Sequence, residues 1–480
     1  MSATPRGLAA WFACLFVAGG LVGIVQAQDP GDNPPPPPQP PGQEIQTRGP
    51  VHESFAQPVV YDPKPGPVIP KAPPEPIEEM PPDQKPEGSN VRWIPGYWAW
   101  DDARKDYLWI SGVWRNIPPG RQWNPGYWHQ VDGGVQWAPG AWTSSQAQQA
   151  QYYPTPPASI EAGPSSPMPV DGSVWSPGCW MWMDTRYVWR PGFWVPPQPN
   201  WVWMPAQYVW SPGGYLFVEG YWDRPFATRG VMFAPVYFPQ PVYLQPAYVY
   251  QPTITIAAGG LVASLFVRPS FGVYYFGDYY APGYVGLGIY PWFSFHQSRF
   301  GYDPMFAYYS VTYGRTNPNW VVQQREAFFY RREHINARPP HTYAAMARAP
   351  EFRSGFATPM ARLAAEHPAA FARVEATEQR RLVAHAEQVQ RFGQERARRE
   401  VAMRDRAEAA PNRPHAAELP RSPVAAEHHP NPVHAESVAP HHTPPAAPAH
   451  PALDHAAQPS RQVARPSAHP EPAREERRRR

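Results

Sequence analysis

A six-residue motif, W-x-P-G-x-W, returns along residues 91–222 and limits what this chain can fold into. Its clear copies are WIPGYW (Trp93, Pro95, Gly96, Trp98), WISGVW (Trp109, Gly112, Trp114), WNPGYW (Trp123, Pro125, Gly126, Trp128), WAPGAW (Trp137, Pro139, Gly140, Trp142), WSPGCW (Trp175, Pro177, Gly178, Trp180) and WRPGFW (Trp189, Pro191, Gly192, Trp194). WMPAQY, which keeps Trp203, and FVEGYW, which keeps Gly220 and Trp222, are degenerate. The step is 14 residues from Trp109 to Trp137 and again from Trp175 to Phe217; a first step of 16 and a spacer at 143–174 interrupt it. A fixed period of this kind marks a repeated structural unit.

The period suggests short strands. Pro-Gly suits the centre of a type II turn, with glycine at positive φ. A turn at Pro125-Gly126 would set Trp123 opposite Trp128. Asp132-Gly133 is a hairpin signal and sets Trp128 opposite Trp137. A turn at Asp184-Thr185 pairs Trp180 with Trp189 and Trp182 with Tyr187. One at Pro212-Gly213 pairs Tyr208 with Phe217 and Trp210 with Tyr215. The expected fold is mainly β: a short-strand β-meander rich in Trp, with the tryptophans of successive strands in a row. Type II turns match strand twist poorly, so the Pro-Gly points are corners or wider bends if not tight turns, and an irregular Trp-Pro stacked coil is the alternative.

These copies resemble the WXXGXW (also written YXWGXW) repeat proteins of exported bacterial origin, and "EGYWDRPFATRGVMFAPVYF" (219–238) resembles what often follows such repeats. The resemblance implies an exported envelope protein and carries no assigned activity or catalytic residue. Ser111 replaces Pro in the second copy and Ala206 replaces Gly in the seventh, which puts the turn geometry there in doubt.

The flanks read differently. Residues 1–27 have a secretory signal pattern, with Arg6, an apolar run and a small-residue site ending at Ala27; an uncleaved anchor is the alternative. Cys14 has a poor context for lipid attachment. With 70 prolines, the chain cannot be one compact core, yet its 14% aromatic content is far above that of a disordered chain. Residues 28–90 therefore read as a Pro-rich disordered linker. Residues 223–350 read as a Tyr/Phe-rich β or irregular region, with "LVASLFV" and "GVYYFGDYY" as a buried hairpin. It ends in a helix at 317–337, capped by Asn317 with Pro318 at the first position. The run from Thr253 to Val267 is too short to span a membrane. Residues 351–410 are a charged helical segment, either a solvated single helix or a coiled coil broken at Glu378 and Arg396. Residues 411–480 read as a disordered tail rich in His, Pro and Ala.

The chemistry of catalysis is sparse. No phosphate loop, nucleophile elbow or metal knuckle occurs. Asp278, His296 and Asp303 form the one imaginable acid–base set, with turns and a packed His as the plainer reading. The nine tail histidines could bind transition metals weakly, but no metal site, cofactor or enzyme activity is expected. Cys179 reads as a packed residue, with intermolecular pairing as the alternative. The net charge of +3 points to no partner, and little positive charge lies between Trp123 and Trp180, so nucleic acid is not expected. Two functions remain. One is a secreted structural repeat protein of the cell envelope, whose Trp rows pack against itself or another envelope protein. The other is a polysaccharide-binding surface of exposed aromatics, with His129, Gln130 and Gln136 as polar neighbours; Val188, Val202 and Val209 suggest packing instead.

Overall fold

A computed structural model describes residues 42–426, apart from 148, 350, 351 and 353–355. The signal pattern at 1–27 and eight of the nine tail histidines lie outside the described residues. The described chain is mainly β, built of many small antiparallel sheets.

The eight motif copies form four hairpins, two copies in each. In the second hairpin, Trp128 pairs with Trp137 around Asp132-Gly133, as the sequence suggests. Trp123, however, pairs with Trp142 and not with Trp128. The register Trp123↔Trp142 continues that of Trp128↔Trp137, so one long hairpin is split halfway where Pro125-Gly126 faces Pro139-Gly140. The same arrangement pairs Trp93 with Trp114 and Trp98 with Trp109. It pairs Trp175 with Trp194 and Trp180 with Trp189, and Trp203 with Trp222 and Tyr208 with Phe217. The pairings expected for Trp182 with Tyr187 and Trp210 with Tyr215 are present.

Pro-Gly is therefore not a turn. Proline has no N–H to give the ladder, so pairing stops there. One proline is enough, because the ladder is also split where Ser111 and Glu219 hold the facing position. None of Gly96, Gly112, Gly126, Gly140, Gly178, Gly192 and Gly220 has a positive φ. Because the hairpins stand as separate small sheets, their tryptophans pair across each hairpin instead of running in one row. All eight aromatic pairs have ring centroids 5.1–5.3 Å apart, edge-to-face or tilted. Such a pair adds about 0.5–1.5 kcal/mol beyond its buried area.

The segment read as a linker is a structural part from Gly42 on. Glu44–Ile45 pairs with Val236–Tyr237, Gly49–Pro50 with Tyr275–Phe276, and Val59–Val60 with Gly301–Tyr302. Val51 and Ser54 are wholly buried. Proline-rich chain is already extended, so it can lie along sheet edges and between hairpins at little further entropic cost. The spacer likewise contributes a strand, Gln149–Tyr153, which pairs with Gly214–Val218 and with His415–Glu418 from the segment read as a disordered tail. Residues 422–426 pack against the second hairpin, with Val424 buried.

The Tyr/Phe-rich region shares one core with the first two hairpins. Its expected hairpin is present, Leu265–Arg268 against Val273–Phe276. The helix expected at 317–337 spans Trp320–Glu333, and the cap position is Asn319, not Asn317. The charged segment at 351–410 is not one helix: strand Ala357–Pro359, helix Met360–Glu366 and strand Phe371–Arg373 precede the long helix Ala376–Ala409, which is not solvated all round. Val389, Phe392, Gly393, Arg396, Glu400 and Met403 are buried on one face, at helical spacing. A Cβ on Gly393 would lie 3.2 Å from Pro125 Cγ, so this glycine sets how closely the helix approaches the split hairpin.

Candidate functional site

The split in each hairpin is a small polar opening in an aromatic wall. Its glycines are required by the ring opposite. A Cβ on Gly126 would lie 2.4 Å from Trp137 Cζ2, and one on Gly140 would lie 2.4 Å from Trp123 Cζ2. The first Trp of each motif covers the glycine of the facing motif in the same way at Gly96, Gly112, Gly178, Gly192 and Gly220. Ala206 stands where a glycine is expected, and the ring facing it is Phe217 in place of Trp. The shorter ring leaves room for the extra methyl group.

Five of the seven motif-glycine amides left without ladder partners, those of Gly96, Gly112, Gly126, Gly140 and Gly178, are taken by glutamates from outside the repeats. Glu53 accepts from Gly126 N through Oε1 at 2.7 Å and from Gly140 N through Oε2 at 2.9 Å. Glu79 accepts from Gly96 N at 2.9 Å, from Gly112 N at 2.9 and 3.1 Å, and from Trp109 Nε1 at 3.4 Å. Glu161 accepts from Gly178 N at 2.5 Å and from Trp175 Nε1 at 3.0 Å. Burial pushes the Glu53 and Glu79 carboxyls up to about 7, while the donated N–H groups pull the other way. The Arg396 guanidinium also pulls Glu53 down.

The other side of an opening presents carbonyls. Arg396 Nη1 donates to the carbonyls of Asn124, Pro125 and Pro139 at 3.3, 2.9 and 3.1 Å. Its Nε pairs with Glu400 at 2.7 Å, both side chains being fully buried. Glu400 in turn accepts from the Tyr127 and Tyr152 hydroxyls at 2.5 and 2.6 Å. In the first hairpin, His52 Nε2 donates to the Pro95 carbonyl at 3.1 Å; burial holds this imidazole down at about 4, in its neutral form. The residues His52, Glu53, Ser54 and Gln57 thus serve two hairpins from one short segment that turns at 53–55, with Gln57 Nε2 on the Gly140 carbonyl at 2.8 Å and the Trp142 indole on the Ser54 carbonyl at 3.1 Å. An apolar cleft of about 270 Å³ runs between these hairpins under the long helix and Pro73–Pro76.

The eight repeat tryptophans of the first two hairpins are buried, Trp128 only partly. Those of the last two are half-buried, except Trp175, which is buried. His129 and Gln136, offered as sugar-facing groups, are buried, and Gln136 donates to the Gly66 carbonyl at 2.6 Å; Gln130 is exposed. Val202 and Val209 are buried, while Val188 is exposed. On the third hairpin the indoles of Trp180, Trp182 and Trp194 donate to the carbonyls of Ala158, Asp184 and Ser166.

Asp278, His296 and Asp303 do not form a triad. Asp278 pairs with His341 at 2.8 Å. His296 meets the backbone carbonyl of Asp303 at 3.0 Å, and the Asp303 carboxyl caps a helix at Phe306 N and accepts from Tyr274. Cys179 is a free thiol beside Arg190, its pKa raised by burial. Among the described residues no cluster of His, Cys, Asp and Glu could hold a metal ion, and no helix is long and apolar enough to cross a membrane.

The WXXGXW repeat (2 copies) family model matches residues 88–115, 172–195 and 199–223. Those ranges are the first, third and fourth hairpins, and the two copies of the model are the two strands of each. The second hairpin, at 121–144, has the same register and the same opening. No curated protein and no solved structure matched the chain.

Proposed function

From a chain that carries WXXGXW repeats, we propose a non-enzymatic structural and interaction protein, exported to the bacterial cell envelope, whose Trp hairpins pack against its own extended segments and against protein. One observation carries this reading: in three of the four hairpins the opening at the motif's centre is filled by a glutamate from the same chain. The motif then works as a packing device that fastens extended, proline-rich chain onto an aromatic scaffold. The dispersal of Asp278, His296 and Asp303 speaks for a non-enzymatic role.

A polysaccharide-binding role is the second reading, favoured by the half-exposed aromatic face of the third hairpin. Its indole N–H groups are already donated within the chain, which leaves rings but few donors for sugar hydroxyls. Acrylamide quenching of Trp fluorescence on the full chain, with and without wall glycans, separates the two. Largely protected emission that ignores glycan supports the scaffold. Emission that quenches freely and becomes protected with one glycan supports the sugar surface.

A further inference from the structure

We propose that the opening of the fourth hairpin is a binding site for a glutamate side chain presented by an extended, proline-flanked segment of a partner protein. The fourth hairpin has the register of the other three, with Trp203 facing Trp222 and Tyr208 facing Phe217. Trp203 holds the position of Trp175, whose indole donates to Glu161 in the third hairpin. Gly220 holds the position of Gly140, whose amide donates to Glu53. Yet Trp203 Nε1 is buried with no hydrogen-bond partner among the described residues. Phe217 cannot donate, so of the two motif-leading rings at this opening only Trp203, which covers Gly220, carries an indole N–H. A buried, unmet donor is costly, about 1–3 kcal/mol. Trp93, in the same position of the first hairpin, is also unmet beside Glu79, so the fourth opening follows the third, where the carboxylate takes both the indole and a glycine amide.

The surroundings say what delivers the carboxylate. Each of the three resident glutamates stands on irregular or extended chain near proline: "HESFAQP" for Glu53, "PIEEMPP" for Glu79 and "PPASIEAGP" for Glu161. The aromatic face over the first two openings is covered by the chain itself, whereas Trp203, Phe217, Gly220 and Trp222 are half-exposed. Arg121 Nη2 donates to the Gly220 carbonyl at 2.9 Å, as Arg396 does to the carbonyls of the second opening. It adds positive charge behind the site. The Ala206 methyl narrows the opening: at the equivalent Gly178 a Cβ would lie 2.9 Å from the Glu161 carboxylate. The fourth site therefore takes a carboxylate on the Trp203 and Gly220 side, more weakly than the others.

The proposal rests on the scaffold reading, and its test is separate. The probe is a fluorescent peptide with the sequence of residues 156–167, PPASIEAGPSSP, titrated by anisotropy against the full chain. Its twin carries Gln in place of Glu. The Glu peptide should bind, with the Gln twin at least tenfold weaker. Trp203→Phe should weaken Glu-peptide binding at least tenfold, Trp210→Phe should leave it unchanged, and Ala206→Gly should tighten it. Equal binding of the two peptides, no binding of either, or wild-type affinity in Trp203→Phe would overturn the site. If Trp203→Phe loses its near-UV circular dichroism, the Ala206→Gly arm decides: tighter Glu-peptide binding supports the site and unchanged binding refutes it. Protected tryptophans with no peptide binding would leave the scaffold reading standing and remove this one.

Discussion

At the residue scale, the motif's glycine and the glutamate it meets are coupled by geometry. Gly126→Ala puts a methyl group 2.4 Å from a Trp137 ring atom. Overpacking of this kind costs about 1–3 kcal/mol, or more where backbone must move. Gly283→Ala, with nothing within 4 Å of its Cβ, should stay within about 0.5 kcal/mol of wild type; urea denaturation compares the two. Glu53→Gln turns an acceptor of two amides into a group with one acceptor oxygen and costs about 1–3 kcal/mol. That cost depends on pH. The folded carboxyl titrates near 7, above its ordinary 4.5. Its contribution is thus fully present below about 4.5 and is lost as pH rises through 7. The stability gap between wild type and Glu53→Gln should shrink from pH 4.5 to 7 and then level off. A gap that widens over that range would contradict the assignment.

At the element scale, the unit is a hairpin made of two motif copies. Trp128 opposite Trp137 was legible because Asp132-Gly133 is a strong turn signal. Trp123 opposite Trp142 was not, because Pro-Gly also fits a turn, and only the glycine's φ and the ring above it show a split ladder. The Ala206 and Phe217 departures look like decay in the sequence and are a matched pair in the hairpin. Phe217→Trp should destabilise the chain, and adding Ala206→Gly should recover most of the loss, a coupling that a double-mutant cycle reads directly. The long helix was legible in composition, but its docking face was not. Arg396 seemed to break the apolar stripe, yet it is the buried residue that ties the helix to the second opening. Arg396→Ala leaves Glu400 buried without its charge partner and should cost about 3–5 kcal/mol, measured by thermal or urea unfolding.

At the scale of the whole molecule, proline content misled most. Proline reports that backbone is extended and short of donors; it does not report whether aromatic surface is waiting for it. Residues 44–60 carry three strand pairings and three side chains, His52, Glu53 and Gln57, that enter hairpin openings, and these and Glu79 look like ordinary linker residues until the openings are seen. Limited trypsin digestion should therefore spare the buried Arg48 while cutting after the exposed Lys71; early cleavage at Arg48 would restore the linker reading. The central claim is that a glutamate from outside the repeats holds both glycine amides of a split Trp hairpin, as Glu79 and Glu53 do in the first two. Amide hydrogen exchange on a chain labelled with 15N-glycine tests it most directly. Gly126 and Gly140 should be protected in the wild type and should lose protection together in Glu53→Gln, while Gly178, held by Glu161, keeps its own. Exchange at Gly126 and Gly140 that is fast in the wild type, or unchanged in the variant, would contradict the account.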